Sequence, residues 1–355
     1  MVKWFIPGPV ELSARVCEAG GRQIIGHRSE EFKTLFADSV SKAKQIFLTQ
    51  KTVFVLSNSG TGALDAVFQN LFKAEDKVLT LENGDFGKRW GDACKIYSKN
   101  AVHAKLDWTK GIHVEDAKAL IDQHSPNWIV VVHNETSTGG KNPVKEIAAY
   151  AKAHNCGVIV DSVSGLAGDE LRFDDWGIDA CVTSGQKCIG APAGLSLVAL
   201  SDFACETYRA MPARSYFFDF KRFEKSAAKN ETPATPAIPG FFQLNAALSE
   251  VIDEGVEARW RRHHAMAEFT RKNVEDLGYK LFMEEGYQSE TVTAFSSSKV
   301  PETRKAVKAA GFVIARGMGD YQEKIMRIAH MANITTQGLS DLFDALAKAK
   351  KTVGE

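Results

Sequence analysis

Two side chains of this 355-residue sequence stand where chemistry could be done. Asp161 ends the apolar run Cys156-Gly157-Val158-Ile159-Val160-Asp161, and Lys187 ends the run that begins at Ala180. If both runs are parallel strands, a carboxylate and an amine arrive together at the carboxyl edge of the sheet, where open α/β folds bind ligands. An amine there can capture an aldehyde covalently. A carboxylate beside it can keep a ring nitrogen protonated, so that the ring draws electrons from a bonded carbon. Aspartate and lysine are common at strand ends, so other residues must support the pair.

Several segments offer that support, each with a plainer alternative. Ser57-Asn58-Ser59-Gly60-Thr61-Gly62 lies between a strand and a helix. Its amides, hydroxyls and helix N-terminus form either an anion cradle or an ordinary helix cap. It matches neither a Walker loop nor GxGxxG, which disfavours a hydride-transferring dehydrogenase. Phe86 follows another strand-to-helix turn and either stacks on a planar ring or joins the core. His133 to Gly140 leaves an apolar strand into a polar loop, of the kind that carries function or merely caps a turn. Arg327 stands inside the apolar run Ile325 to Ala329. A buried arginine needs a partner, either an internal carboxylate or a substrate's. His27, Arg28 and His330 have no metal-ligand spacing, and no metal is expected.

The elements that must position these residues alternate along the chain. Helix is predicted over 28–49 from the recurrence of Phe32, Leu35, Phe36, Val40, Ala43 and Phe47. Strands follow near 53–56, 77–81, 101–106, 128–133, 156–161, 180–187 and 195–199, with helices at 63–72, 86–97, 114–122 and 144–154 between them. Apolar strands separated by helices predict an α/β fold, with a mostly parallel sheet sandwiched by helices in a large domain. A long helix is expected over 241–277. Strands near 292–296, 312–315 and 325–329 and helices near 301–310 and 336–350 then form a small C-terminal α+β domain. The reading divides the chain into an extended N-terminal arm (1–18), a large domain (19–245) and a small domain (246–355).

Composition sets the class. The 44 basic and 44 acidic residues balance to zero, which argues against a nucleic-acid or anionic-membrane surface. The run Arg259-Trp260-Arg261-Arg262-His263-His264 reads as a solvated helix face. Six cysteines form no CxxC pair. Pro7 interrupts the N-terminus before a signal-peptide core could form, and no apolar stretch reaches the ~20 residues of a membrane helix. A cytoplasmic enzyme is the default.

Taken in order, Pro-Gly-Pro, Gly-His-Arg-Ser, Ser-Gly-Thr, Glu-Thr-Ser-Thr-Gly, Asp-Ser-Val, Gln-Lys, Thr-Pro-x-Thr-Pro and Arg-Ile-x-His-Met resemble class V aminotransferases. These are fold type I pyridoxal-phosphate enzymes, and the likeness is greatest to the alanine/serine–glyoxylate aminotransferases. The resemblance implies that Lys187 holds pyridoxal 5'-phosphate as a Schiff base and that Asp161 pairs with its ring nitrogen. It places Val163 and Phe86 on the two ring faces and Thr136 on the ring-hydroxyl side. Ser59, Gly60, Thr61 and Gln186 would hold the phosphate. Thr232 and Thr235 would reach the phosphate of a neighbouring subunit, so a homodimer is implied. Arg327 would bind the substrate carboxylate beneath Gly8.

Two positions depart from the family pattern. Relatives often read Gly-Ser where this chain has Ser184-Gly185, which moves one hydroxyl. They often carry glycine where Arg316 stands, which adds a positive charge if that segment faces the pocket. The implied reaction moves an amino group from alanine, serine or aspartate to glyoxylate or pyruvate, with Lys187 as the proton carrier. A lyase or desulfurase on the same scaffold is the alternative, as is a non-catalytic binding protein. The desulfurase lacks its usual histidine, because Gln186 precedes the lysine.

Overall fold

The computed structural model describes residues 2–355. Seven strands form the main sheet in the spatial order Thr52–Leu56, Ser196–Leu200, Ala180–Ser184, Gly157–Asp161, Trp128–Val132, Lys77–Glu82, Asn100–Lys105. Only Ser196–Leu200 runs against its neighbours. All the other pairs of adjacent strands are parallel. Side-chain alternation sends Val53, Val55, Ile129, Val131, Val158 and Val160 to one core. Phe54, Leu56, Val130, Val132, Ile159 and Val182 go to the opposite core. Both faces are therefore dry, and this is why the strands read as unbroken apolar runs rather than as alternating ones.

The helix Glu30–Phe47 shows how the covering layer is specified. Ser29 caps it by accepting from Phe32 N at 3.3 Å, and Glu30 and Glu31 occupy the first turn. Phe32, Phe36, Ala43, Ile46 and Phe47 form its buried face. Phe32 and Phe36 meet Phe241, with ring centroids 5.2 and 6.1 Å away. Each such ring stabilises the fold by roughly 1.5–3 kcal/mol through burial.

The small domain is built on five strands in the order Lys3–Phe5, Phe312–Arg316, Ile325–Ala329, Val292–Ser296, Lys280–Leu281. The N-terminal segment is thus more than an arm. Lys3–Phe5 pairs in parallel with Phe312–Arg316, and Ala14–Gly20 is helical under a Ser13 cap. Both elements are too short to show a period in the sequence.

The helix expected over 241–277 is divided. Gly255 adopts φ 85° and ψ 132° and separates Ile238–Glu254 from Val256–Asp276. The first half packs on Ala14–Gly20 and Glu30–Phe47, and the second on the small-domain strands and the helix Thr336–Val353. A bend at one residue lets a single apolar stretch serve two cores, and apolar periodicity does not register such a bend.

The basic run that follows also differs from expectation. Arg259 is 2% exposed, and it donates to Glu254 Oε2 at 2.8 Å and to Cys188 O at 2.7 Å. His263 is fully buried and its Nδ1 lies 2.8 Å from Arg259 O. Arg261 and His264 stay exposed, so the run is a solvated face only in part, with Arg259 and His263 turned into the protein. No helix among the described residues is long and apolar enough to cross a membrane.

Replacing Gly255 by alanine forces a side chain into a region that favours glycine. The variant should be destabilised by about 1–3 kcal/mol, read as a lowered midpoint in thermal or urea unfolding. An unchanged midpoint would show that the bend does not depend on that glycine.

Candidate active site

Adjacent parallel strands bring the two principal residues together. Asp161 ends Gly157–Asp161, and Ala180–Ser184 runs beside it with Val182 opposite Asp161. The second strand is shorter than expected and stops at Ser184, so Lys187 sits in the turn beyond the sheet edge. That turn is fixed from behind by the Arg259 guanidinium on Cys188 O.

Asp161 is buried, and each carboxylate oxygen has one donor. Trp90 Nε1 lies 2.6 Å from Oδ2, and Val163 N lies 2.9 Å from Oδ1. Burial raises its pKa, while the two donors and the Lys187 charge pull it back down. Such a carboxylate is best satisfied by a cation set against it. For Lys187, burial lowers the ammonium to about 8, with the Arg327 and Arg89 charges acting in the same direction and Asp161 against. A lysine so placed is a free amine for part of the time near neutrality, as a nucleophile or proton carrier requires.

The N-terminal segment lies directly on this turn. Val10 N donates to Gln186 O at 3.1 Å, and Lys187 Nζ donates to Pro7 O. Gly8 has φ 109°, and a Cβ there would come within 2.8 Å of Lys187 Cδ. Glycine is therefore needed both for the backbone conformation and for the close approach.

A second glycine opens a cradle. Gly60 begins the helix Gly60–Leu71, whose cap is Ser59, accepting from Gly62 N at 3.2 Å. A Cβ on Gly60 would meet Val163 Cγ2 at 2.7 Å and Ser184 Oγ at 3.2 Å. Ser184 Oγ and Gln186 Oε1 are buried without a hydrogen-bond partner among the described residues. A helix N-terminus beside an unpartnered hydroxyl suits an anion such as a phosphate. Asp161, Lys187, the aromatic Phe86 and this cradle together make a donor set that fits pyridoxal phosphate. The hydroxyl displaced to Ser184 still faces the cradle.

Phe86 lines the same cavity of about 610 Å³ as Gly8, Thr136, Lys187 and Arg327. Its helix, Asp85–Tyr97, starts at Gly84 without a side-chain cap of its own. Buried Glu135 supplies that cap, accepting from Phe86 N at 3.4 Å and Gly87 N at 3.0 Å. Thr136 Oγ1 lies 2.5 Å from Ser164 Oγ. Arg327 has no acidic partner of its own. Its Nη1 donates to Thr136 O at 2.7 Å, while Nε and Nη2 donate to Arg316 O at 2.9 and 2.7 Å. The internal ion pair that was one of its two expected states is thus not formed among the described residues.

Two expected residues stand apart. Thr232 and Thr235 line a separate small cavity with Tyr216 and Phe217. Thr232 Oγ1 donates to Ala234 O at 2.8 Å, and Thr235 Oγ1 lies 3.4 Å from His27 Nε2. His330 is buried with Nε2 3.0 Å from Thr293 Oγ1, and burial lowers it to about 3, which leaves it a neutral structural group. Cys188 is buried, with its thiol pushed up to about 12 by burial. Trp90 and Glu135 were not singled out from sequence. The i, i+4 spacing of Phe86 and Trp90 was the available signal for the first; nothing local marked Glu135 as a cap for a distant helix.

The sequence model for the family described as Aminotransferase class-V matches residues 15–314. An uncharacterized aminotransferase of Methanocaldococcus jannaschii is 37% identical over 92% of this chain and 86% of its own length. The L-aspartate–glyoxylate aminotransferase of Paracoccus denitrificans is 29% identical over 93% of this chain and 86% of its own. Among solved structures, the pyridoxamine–pyruvate aminotransferase of Mesorhizobium loti superposes with a TM-score of 0.96 at 27% identity, covering 100% of this chain and 93% of that one. The fold is that of fold type I aminotransferases, a family that is pyridoxal-phosphate-dependent in general. These matches favour amino transfer over the lyase, desulfurase and binding-protein alternatives. With the family model spanning most of the sequence and the active-site geometry in place, the chain belongs to the class V aminotransferases and is an aminotransferase.

Proposed function

We propose that this chain binds pyridoxal 5'-phosphate at Lys187 and moves the amino group of a small amino acid (alanine, serine or aspartate) to glyoxylate or pyruvate. The two half-reactions would alternate in ping-pong fashion. One observation carries the reading: buried Asp161 and half-buried Lys187 lie close enough to act on each other's charge, and Lys187 lines the cavity that Phe86 and Arg327 also line. The names of the Paracoccus and Mesorhizobium proteins support the substrate class.

The residues divide the work by chemistry. Gly60 and Thr61 amides, Ser59, Ser184 and Gln186 would hold the phosphate. Asp161 would pair with the ring nitrogen, Val163 and Phe86 would cover the ring faces, and Thr136 would meet its hydroxyl side. When bound, the cofactor supplies an electron sink for bond breaking at the substrate α-carbon. Lys187 Nζ takes the α-proton and later returns one. Arg327 grips the α-carboxylate, held in position by the Thr136 and Arg316 carbonyls. Pro7 and Gly8 cover the amine and limit water.

Thr232 and Thr235 lie away from this cavity, beside Tyr216 and Phe217, which are 81% and 48% exposed. That placement supports a homodimer in which they reach the partner's phosphate, and sedimentation of the purified protein tests it. A cytoplasmic setting belongs to the same proposal, supported by six free thiols.

An absorbance spectrum with alanine, serine and aspartate added separately tests the whole reading. A cofactor band that shifts with one donor is expected. Lys187→Ala should lower turnover on the order of 10³-fold or more while retaining some cofactor. Substantial transfer by that variant would remove Lys187 from its role.

The lowered Lys187 pKa has a definite sign, because a lowered value means more free amine at a given pH. Cofactor uptake by the apo-protein should speed up with rising pH and level off above about 8. A profile still climbing towards ~10.4, the ordinary lysine value, would contradict the burial argument. Trp90→Phe keeps the ring but removes one donor to Asp161, whose pKa then rises further. The amino-donor half-reaction should slow by about tenfold, the scale of one lost charge-assisted hydrogen bond. Stopped-flow rates equal to wild type would show that Trp90 only packs.

A further inference from the structure

The cavity over Lys187 carries more positive charge than this mechanism uses. Lys187, Arg304, Arg316 and Arg327 line it, and no carboxylate among the described residues does. Lys187 and Arg327 have roles in the reading above. Arg304 and Arg316 have none.

Arg304 lies on the helix Val300–Ala309 and donates Nε to Ile314 O at 3.0 Å. Burial and the nearby Arg316 charge both lower its pKa. Arg316 ends Phe312–Arg316, and its carbonyl takes two donors from Arg327. Its main chain is thus fixed to the guanidinium assigned to the α-carboxylate. Among the described residues its side chain hydrogen-bonds only to the Gln322 amide, whose oxygen, turned inward, accepts from Nη2 at 3.2 Å and from Nη1 at 2.5 Å. Neither Arg304 nor Arg316 forms an ion pair among the described residues.

The nearby acids are committed elsewhere. Asp85 is engaged by Arg89 at 3.3 Å, and Glu135 caps its helix. The segment after Arg316 is also anchored: the Tyr321 ring centroid lies 5.8 Å from that of Trp108 and 4.8 Å from that of Phe282. Two guanidinium groups held near each other without an anion repel, and an anion between them relieves the repulsion. A planar guanidinium is well shaped for a carboxylate.

We propose that Arg304 and Arg316 form a second carboxylate subsite that selects amino donors with an acidic side chain of aspartate type. The inference rests on the assignment of Lys187 and Arg327 above and narrows its substrate class. Arg327 takes the α-carboxylate, and the side-chain carboxylate reaches the Arg304–Arg316 pair.

The test uses the full-length holoenzyme. Values of kcat/KM are measured for aspartate, alanine, serine and O-phosphoserine with glyoxylate as acceptor, in wild type, Arg316→Gln, Arg304→Gln and Arg316→Lys. Wild type should favour aspartate. The aspartate-to-alanine ratio should fall about tenfold or more in each glutamine variant, mainly through KM, and Arg316→Lys should recover part of it. Succinate, which carries two carboxylates and no amino group, is the second probe. Its binding, measured by calorimetry, should weaken by about tenfold in Arg316→Gln.

The proposal is overturned if the ratio is the same in Arg316→Gln as in wild type, or if wild type prefers alanine, serine or O-phosphoserine. Failure of the transferase reading looks different, with no donor reacting in wild type. Succinate binding then still decides the subsite, since equal affinity in wild type and Arg316→Gln rejects it.

Discussion

The site depends on one constraint, that buried charge must be answered. At the sheet edge Asp161 is buried and Lys187 half-buried, where an isolated ion is costly. Trp90 and the Val163 amide answer part of the carboxylate's need, and Lys187 responds by easing towards its neutral form. Much of the surrounding structure serves these two groups. Glu135 caps the helix that delivers Phe86 and Trp90, and Arg259 reaches across from another helix to hold the lysine turn.

Arg327 carries the same logic between domains. It belongs to a small-domain strand, yet it donates to Thr136 O in the large domain and to Arg316 O beside it. Carbonyls can orient a guanidinium without neutralising it. The positive charge therefore remains available to a carboxylate from outside, which a ready-made ion pair would have prevented. The N-terminal segment completes the wall. Lys3–Phe5 is tied to the small sheet, while Pro7, Gly8 and Val10 lie on Gln186 and Lys187.

Cradle and ring site share the same economy of space. Gly60 has no side chain where Val163 and Ser184 Oγ approach, and Gly8 has none where Lys187 does. In both places a methyl group would collide with a neighbouring side chain, Val163 in the cradle and Lys187 beneath Gly8. Ser184 points its oxygen towards the cradle.

The sequence by itself determined the large sheet and its active edge. Runs such as Val158-Ile159-Val160 are buried on both faces, so their period and apolarity are local facts, and the residues that end them fall at the edge by necessity. Phe86, Gly60 and Arg327 stood out as candidates because each is tied to a strand end, a helix start or an apolar strand, while the roles proposed for them came from the family resemblance. Only the tertiary structure decided the rest. The bend at Gly255, the burial of Arg259, the cap from Glu135, the donor from Trp90 and the pairing of Lys3–Phe5 each depend on a partner far away in the chain. Local pattern records which face of an element avoids water. It does not record which distant group meets a buried polar atom, because that choice is made when the elements pack.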